Sequence, residues 1–159
     1  HAIVVEKVEA LGKMELMKYH FKDVITHEKM QGWLPSSKVV LMVHGEVVAC
    51  IDFTRLDSAD VSERGDTVFV ALPAPEICYS KVDHSQSKVI DTYWTIFEGA
   101  SLADEAYKLA EQEILNSALK SGILEQAKQQ ARQFTGPMLG IVAGKPVKVW
   151  FKESPVLLP

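Results

Sequence analysis

The sequence KVVLMVHGEVVACIDF occupies residues 38–53 and decides the fold class. Two runs of β-branched and apolar residues, 38–44 and 47–53, flank the dipeptide Gly45-Glu46. Two apolar runs separated by a short glycine-containing segment are typical of a β-hairpin. Neither run alternates with charged residues, which indicates strands that are covered on both faces for part of their length. We therefore predict a hairpin that turns at Gly45-Glu46 and lies centrally in a sheet.

Further strands are predicted on both sides of this hairpin. Upstream, apolar and aromatic residues recur at odd positions from Glu15 to Ile25, the alternation of a half-buried strand, and residues 32–37 should interrupt it. Downstream, two polar turns predict two more hairpins, one over 61–72 with its turn at 63–66 and one over 77–94 with its turn at 83–86. An alternating stretch at 145–151 predicts a last strand. Because proline cannot donate to a ladder, the strand that begins at Thr67 should end before Pro73.

A short helix is predicted before the strands. Residues 3–11 place Val4, Val8 and Leu11 on one helical face, and Gly12 should end the helix.

A long helical pattern follows the strands. Ser101 offers an N-cap, and no proline occurs from Leu102 to Phe134. The pattern fits either one helix of about 32 residues or two helices broken at Ser121-Gly122, because an interior glycine costs about 1 kcal/mol. The apolar stripe should bury Tyr107, Ile114 and Leu115 against the sheet and continue to Phe134, and Gly136-Pro137 should end the helix.

These elements predict an α+β fold, with a mainly antiparallel twisted sheet of about six to seven strands covered by the long helix of the C-terminal half. Residues 1–159 should form a single domain, which is an ordinary size for one core. Within it, we interpret 1–12 as a helix that could be the remnant of a linker to a missing anchor, and 155–159 as a tail.

Composition excludes several classes of protein. The formal net charge is −4, whereas nucleic-acid binding needs clustered basic residues. The longest uncharged stretch, Gln133 to Gly144, has 12 residues, and a membrane span needs about 20. We therefore expect a soluble chain without a nucleic-acid partner.

The two cysteines, Cys50 and Cys78, each lie in an apolar, strand-like run. They could be buried thiols that behave as small hydrophobic residues, or a disulfide that closes a loop of about 28 residues and contributes about 3–4 kcal/mol. We favour reduced and buried thiols, because two cysteines are too few to indicate an oxidising compartment.

Two stretches resemble motifs for metal or phosphate binding, but both motifs are incomplete. His27-Glu28 begins like a zinc-protease helix, but position 31 is Gln31 instead of histidine. Residues 140–145 resemble a phosphate-binding loop, but the spacing is one residue short and Pro146 follows. We predict no catalytic residue, no cofactor and no metal site, and we assign structural or surface roles to His20, His44 and His84.

Asp52 and Glu76 are the candidate binding residues, because each carboxylate lies beside an apolar strand where a solvated charge is unexpected. Both also have a structural explanation. Asp52 could cap the following turn through Thr54 and Arg55, and Glu76 could accept backbone hydrogen bonds beside Pro75.

The whole chain resembles an uncharacterised family of bacterial proteins, a domain of unknown function usually carried behind an N-terminal transmembrane helix. The matching pieces are residues 16–19, 45–52, 72–77 and 118–127, in this order. The resemblance implies an extracytoplasmic domain held near a membrane by a segment missing before His1. It supplies no catalytic residues.

Two hypotheses about function follow. The first is a non-enzymatic envelope domain that binds an unknown protein partner or supports an assembly, and that meets the membrane only through the segment missing before His1. The alternative is an enzyme or small-ligand-binding domain with a pocket near Asp52 and Glu76.

Overall fold

The computed structural model describes residues 2–93 and 99–152, and within them it contains three α-helices, seven strands and two short 3₁₀ helices. The helices are α1 (Ala2–Glu9), α2 (Gly99–Lys120) and α3 (Ile123–Ala143). The strands are β1 (Lys13–Gln31), β2 (Leu34–Asp52), β3 (Val61–Arg64), β4 (Thr67–Leu72), β5 (Glu76–Val82), β6 (Lys88–Tyr93) and β7 (Val147–Phe151). The predicted α+β class is confirmed.

The strands form two sheets, so the prediction of one sheet is wrong. β1, β2, β5 and β6 form a four-stranded sheet, and β3, β4 and β7 form a three-stranded one. The separation begins at the two 3₁₀ helices, Phe53–Arg55 and Ser58–Asp60, which follow β2 and are capped by Asp52 and Asp57. These turns satisfy their own backbone groups and end the ladder, so the chain starts a new sheet at β3. β3 and β4 are antiparallel, whereas β4 and β7 are parallel.

β2 is one continuous strand, and the predicted hairpin at Gly45-Glu46 is wrong. A Cβ atom added to Gly45 would lie 2.8 Å from the Lys81 carbonyl oxygen and 2.7 Å from Ile114 Cδ1. Gly45 is therefore a point of close approach, which is the other role of a glycine inside a strand. The chain reverses instead at Gly32-Trp33, where Gly32 has a φ of 65°. The predicted break at 32–37 thus shrinks to two residues.

β5 and β6 both pair with β2 and not with each other, so the third predicted hairpin is also wrong. β6 runs antiparallel to the first half of β2, with Val39 opposite Thr92. In the segment that connects β5 to β6, the Asp83 N–H donates to the His44 carbonyl oxygen at 2.7 Å. The predicted strand end at residue 94 lies outside the described residues, as does the tail at 155–159.

Two strand predictions are confirmed. β3 and β4 form a hairpin around Gly65, which has a φ of 61°. β4 ends at Leu72, directly before Pro73.

The long helical region is divided into α2 and α3, which confirms the second predicted alternative, a break at Ser121-Gly122. Gly122 takes a left-handed conformation between them, with a φ of 82°. α2 begins at Gly99, so Ser101 lies inside its first turn and is not the N-cap.

α3 continues through Gly136-Pro137 to Ala143, and its predicted end is wrong. Proline normally breaks a helix interior, but packing against β7 holds this segment in place. A Cβ atom on Gly136 would lie 3.3 Å from the Val147 carbonyl oxygen. In the turn before the proline, the Thr135 hydroxyl donates to the Ala131 carbonyl oxygen.

The inward face of the helical region is lined mainly by small residues. Ile114 is buried as predicted, but Tyr107 and Leu115 are half-buried and Phe134 is exposed. The buried positions include two pairs of alanines four residues apart, Ala106 with Ala110 in α2 and Ala127 with Ala131 in α3, and also Ala118. Alanines let a helix approach its neighbours closely, so the larger side chains are displaced to the flanks. In α1, Val8 is buried and the side chain of Val4 lies outside the description, while Leu11 lies beyond the end of α1 and is exposed.

The chain divides into two compact units. Of the described residues, the first unit contains 2–17, 49–78 and 122–152, and the second contains 18–48, 79–93 and 99–121. The core of the first unit includes Val8, Phe53, Leu72 and Leu139. The second unit buries one side of β2 and the inward face of α2. The single domain stays a prediction.

Candidate functional site

The two predicted carboxylates, Asp52 and Glu76, are brought together in the first unit by Arg55. Arg55 Nη2 lies 3.0 Å from Glu76 Oε2, and Arg55 Nε lies 3.8 Å from Asp52 Oδ2. Lys13 Nζ is 3.5 Å from the other Glu76 oxygen. Each carboxylate thus has a cationic partner, and the guanidinium of Arg55 joins the two strand ends on which they lie.

Asp52 also caps the 3₁₀ helix that follows β2, as the structural explanation predicted. Its Oδ1 accepts hydrogen bonds from the Thr54 N–H at 3.0 Å and from the Thr54 hydroxyl. The Thr54 hydroxyl lowers the pKa of Asp52 most strongly, and Lys13 and Arg55 lower it further, while burial opposes them. Asp52 is therefore ionised at neutral pH and is poorly suited to act as a general acid. Binding by Asp52 or Glu76 stays a prediction.

Cys50 and Cys78 lie directly beside this cluster and form a disulfide in the structure. Their Cα atoms are 5.8 Å apart, within the range that a disulfide requires. Here the structure departs from the preference for two reduced thiols. That preference rested on the small number of cysteines, whereas in the structure the pairing of β2 with β5 brings the two residues together.

The second unit contains a polar cleft of about 540 Å³, which we call the histidine cleft. Its lining includes His20, His44, His84, Glu46, Lys81 and Asp83. The histidines had been assigned structural or surface roles because they are far apart in sequence. Only the pairing of β5 and β6 along β2 brings the segment around His84 next to His44.

Glu46 organises the charges of the histidine cleft. Its carboxylate lies 3.1 Å from Lys81 Nζ and 3.3 Å from the Tyr79 hydroxyl, and 3.9 Å from both Lys18 Nζ and His20 Nδ1. The hydrogen bond from Lys81 lowers the pKa of Glu46 and raises the pKa of Lys81. The negative charge of Glu46 is thus balanced by the lysines beside it, Lys81 and Lys18.

The loop after β5 forms one wall of the histidine cleft and is fixed by its own hydrogen bonds. The Asp83 carboxylate accepts from the Ser85 N–H at 3.0 Å and from the Gln86 amide at 2.9 Å. The Ser85 hydroxyl contributes most to lowering the pKa of Asp83. The ring of His84 packs on Tyr107 with a centroid distance of 4.6 Å. This arrangement presents imidazole and ammonium donors to a polar ligand.

No group of three or more metal-binding side chains converges in residues 2–93 and 99–152.

An apolar concavity of about 440 Å³ lies in the first unit, where the sequence analysis had placed no site. We define it by the apolar side chains Met14, Leu16, Phe134 and Met138. Phe134 is 59% exposed, and about two turns further along α3 Ile141 is 85% exposed. The spacing of Phe134, Met138 and Ile141 places them along one stripe of α3. Of these three residues only Phe134 belongs to the apolar stripe predicted from the sequence, and the prediction that it faces inward is wrong.

A family model described as "Protein of unknown function (DUF4230)" matches residues 6–149. The chain belongs to this family. The match confirms the resemblance inferred from sequence and includes most residues of both units, but it does not show the N-terminal anchoring. No curated protein and no solved structure matches the chain. Among the described helices of this DUF4230 member, none has the length and hydrophobicity needed to cross a membrane.

Proposed function

We propose that this DUF4230 domain is a non-enzymatic, extracytoplasmic domain of a membrane-anchored bacterial protein, and that it binds a protein partner in its apolar concavity. The exposed Phe134 beside Met14, Leu16 and Met138 is the observation that carries the proposal.

The contents of the concavity favour a protein partner. Contiguous exposed apolar side chains often mark a surface that a second molecule covers, and methionine side chains adapt to the surface that they meet. Met14 and Leu16 come from β1, while Phe134 and Met138 come from α3, so a strand and a helix form the two sides. Such a concavity fits an apolar ridge, as presented by one face of an amphipathic helix.

The disulfide supports the extracytoplasmic location. Disulfides form and persist mainly in oxidising compartments, and both cysteines of the chain are used in one bond. Alkylation of the full-length protein in denaturant, before any reduction, should leave Cys50 and Cys78 unmodified. Modification of both thiols would contradict the proposed location.

Partner binding is tested with two variants in the native, membrane-anchored protein. Phe134→Lys puts a charge beside the concavity, and Gln129→Lys adds the same charge at another exposed position of α3. We expect Phe134→Lys to weaken partner capture at least about tenfold, as for a central apolar interface residue. Gln129→Lys should leave capture unchanged. Both positions are exposed, so neither change should alter stability by more than about 0.5 kcal/mol.

Equal capture by the two variants would rule out the apolar concavity as the binding surface. Loss of capture by both would point to a general effect of charge on α3 and would also count against the proposal.

A second candidate function is the binding of a small polar ligand, now in the histidine cleft instead of near Asp52 and Glu76. The observation that favours it is the polar lining, in which three histidines and Lys81 lie around Glu46. Histidine NMR resonances should then shift on titration with a small anion such as inorganic phosphate, and His84→Ala should weaken the response. Unchanged resonances for His20, His44 and His84 would exclude this candidate for that class of ligand.

A further inference from the structure

The turn between β1 and β2 exposes an unusually apolar tip. Gly32 and Trp33 form the turn, and an added Cβ on Gly32 would meet nothing within 4 Å. The need for glycine is therefore conformational, since its φ of 65° is one that glycine adopts most readily. Trp33 is 93% exposed and Met30 is 82% exposed. Two of the most exposed large apolar side chains in the second unit thus lie at one turn.

The sequence around the turn carries no charge. Residues 30–37 read MQGWLPSS, and the first charged residues beyond them are Lys29 and Lys38. Within this run Leu34 is also exposed. Pro35 has no N–H, so one backbone donor fewer must be satisfied if the segment leaves water. We call residues 30–35 the hairpin tip.

We infer that the hairpin tip inserts into the interfacial region of a lipid bilayer. Tryptophan is favoured at this depth because its ring is apolar while its indole N–H can still reach a polar partner. The tip has six residues, whereas a stable protein interface buries about 800 Å² on each partner and needs about 20–30 residues a side. Insertion into a bilayer does not require an interface of this size, because lipid molecules can pack around a small projecting group.

The charges behind the tip are mixed, which indicates how the tip binds. Lys29 Nζ lies 3.4 Å from a Glu105 oxygen, and Lys38 Nζ lies 5.7 Å from the centre of the Tyr93 ring. Glu28 and Lys38 line the same shallow concavity. Because opposite charges lie close together there, the apolar side chains supply most of the attraction. Binding should therefore persist at high salt and should be weak and reversible, as expected for a small apolar insertion.

This inference does not depend on the proposed partner or on the proposed anchor. The chain of 159 residues can be tested by itself, by sedimentation with vesicles of phosphatidylcholine mixed with phosphatidylglycerol. Trp33→Ser removes the inserted ring. Trp150→Ser is the matched control, because Trp150 is also exposed but lies on β7.

We expect Trp33→Ser to lower vesicle partitioning about tenfold, the effect of withdrawing one large apolar side chain from lipid. Trp150→Ser and Phe134→Lys should leave partitioning unchanged, and added salt should reduce it little. Brominated lipid should quench tryptophan emission in the wild-type chain, and Trp33→Phe should remove most of that quenching.

Three results would overturn the inference. The first is that the wild-type chain does not sediment with vesicles. The second is that Trp33→Ser and the wild type partition equally, and the third is that binding is lost when salt is added. Unchanged circular dichroism of Trp33→Ser would show that its loss of binding is not a loss of folding. If Phe134→Lys loses partner capture while vesicle binding persists, the two surfaces act separately.

Discussion

Gly45→Ala is the substitution that most directly tests the path of β2. The added methyl group would lie 2.8 Å from the Lys81 carbonyl oxygen and 2.7 Å from Ile114 Cδ1. Ile114 Cδ1 is the end of a flexible side chain and can move, but the Lys81 oxygen belongs to the backbone of β5. Forcing such an overpacked contact costs about 1–3 kcal/mol. We therefore expect the free energy of unfolding to fall by this amount.

A double-mutant cycle separates the two contacts of this methyl group. Ile114→Ala alone should cost about 2–5 kcal/mol, because the side chain is buried. In that background one contact is gone, so Gly45→Ala should cost about 1 kcal/mol less than in the wild type, within the usual range for residues in contact. It should not become neutral, since the contact with the Lys81 oxygen persists.

Urea unfolding followed by circular dichroism measures these differences, with Gly65→Ala as the control. Gly65 has a φ of 61° and open space around its Cβ, so its substitution is strained for a different reason. The effects of Gly65→Ala and Ile114→Ala should add to within about 0.5 kcal/mol. A neutral or stabilising Gly45→Ala, or a cycle with no coupling to Ile114, would refute the close approach of β2 to β5 and α2.

Three further predictions concern the disulfide, Asp52 and metals. Replacing Cys50 and Cys78 by alanine should lower stability by about 3–4 kcal/mol in urea unfolding, whereas an unfolding midpoint that does not respond to reductant would contradict the disulfide. Because the pKa of Asp52 is lowered in the folded chain, its stabilising contribution is present above its ordinary pKa and is lost as the pH falls through the lowered value. Asp52→Asn should therefore flatten the pH dependence of the free energy of unfolding in the acid range. An unchanged profile would show that the Thr54 cap contributes little. Elemental analysis should find no stoichiometric transition metal and chelator should not unfold the chain, whereas one tightly held zinc per chain would overturn this.

The individual strands and helices could largely be read from local patterns, because these reflect burial and turn chemistry within a few residues. The β3–β4 hairpin at Gly65 and the end of β4 before Pro73 are examples. Gly45 shows the limit of this reasoning. A glycine between two apolar runs can mark a turn or a close approach, and the difference depends on Ile114 and Lys81, which are distant in sequence. Pro137 shows the same limit, because packing against β7 outweighs its local preference.

The sites were predictable only where the sequence carried a local anomaly. Asp52 and Glu76 stood out as carboxylates beside apolar strands, but their meeting at Arg55 depends on the pairing of β2 with β5. The histidine cleft had no local signal, since its residues come from separate strands and a loop. Phe134 was visible in the apolar stripe of α3, yet the pattern alone does not give the side that faces water. The alanines at other positions of α3 take the inward face and leave Phe134 outside.

Site-specific photo-cross-linking from position 134 tests the proposed function most directly. A photoreactive phenylalanine analogue at this position in the full-length protein, irradiated in intact cells, should form a cross-link to one protein partner. The cross-link should disappear when Leu16→Lys places a charge on the other side of the apolar concavity, and it should persist with the control Gln129→Lys. No cross-link from position 134, or one that Leu16→Lys leaves unchanged, would contradict the proposed partner site.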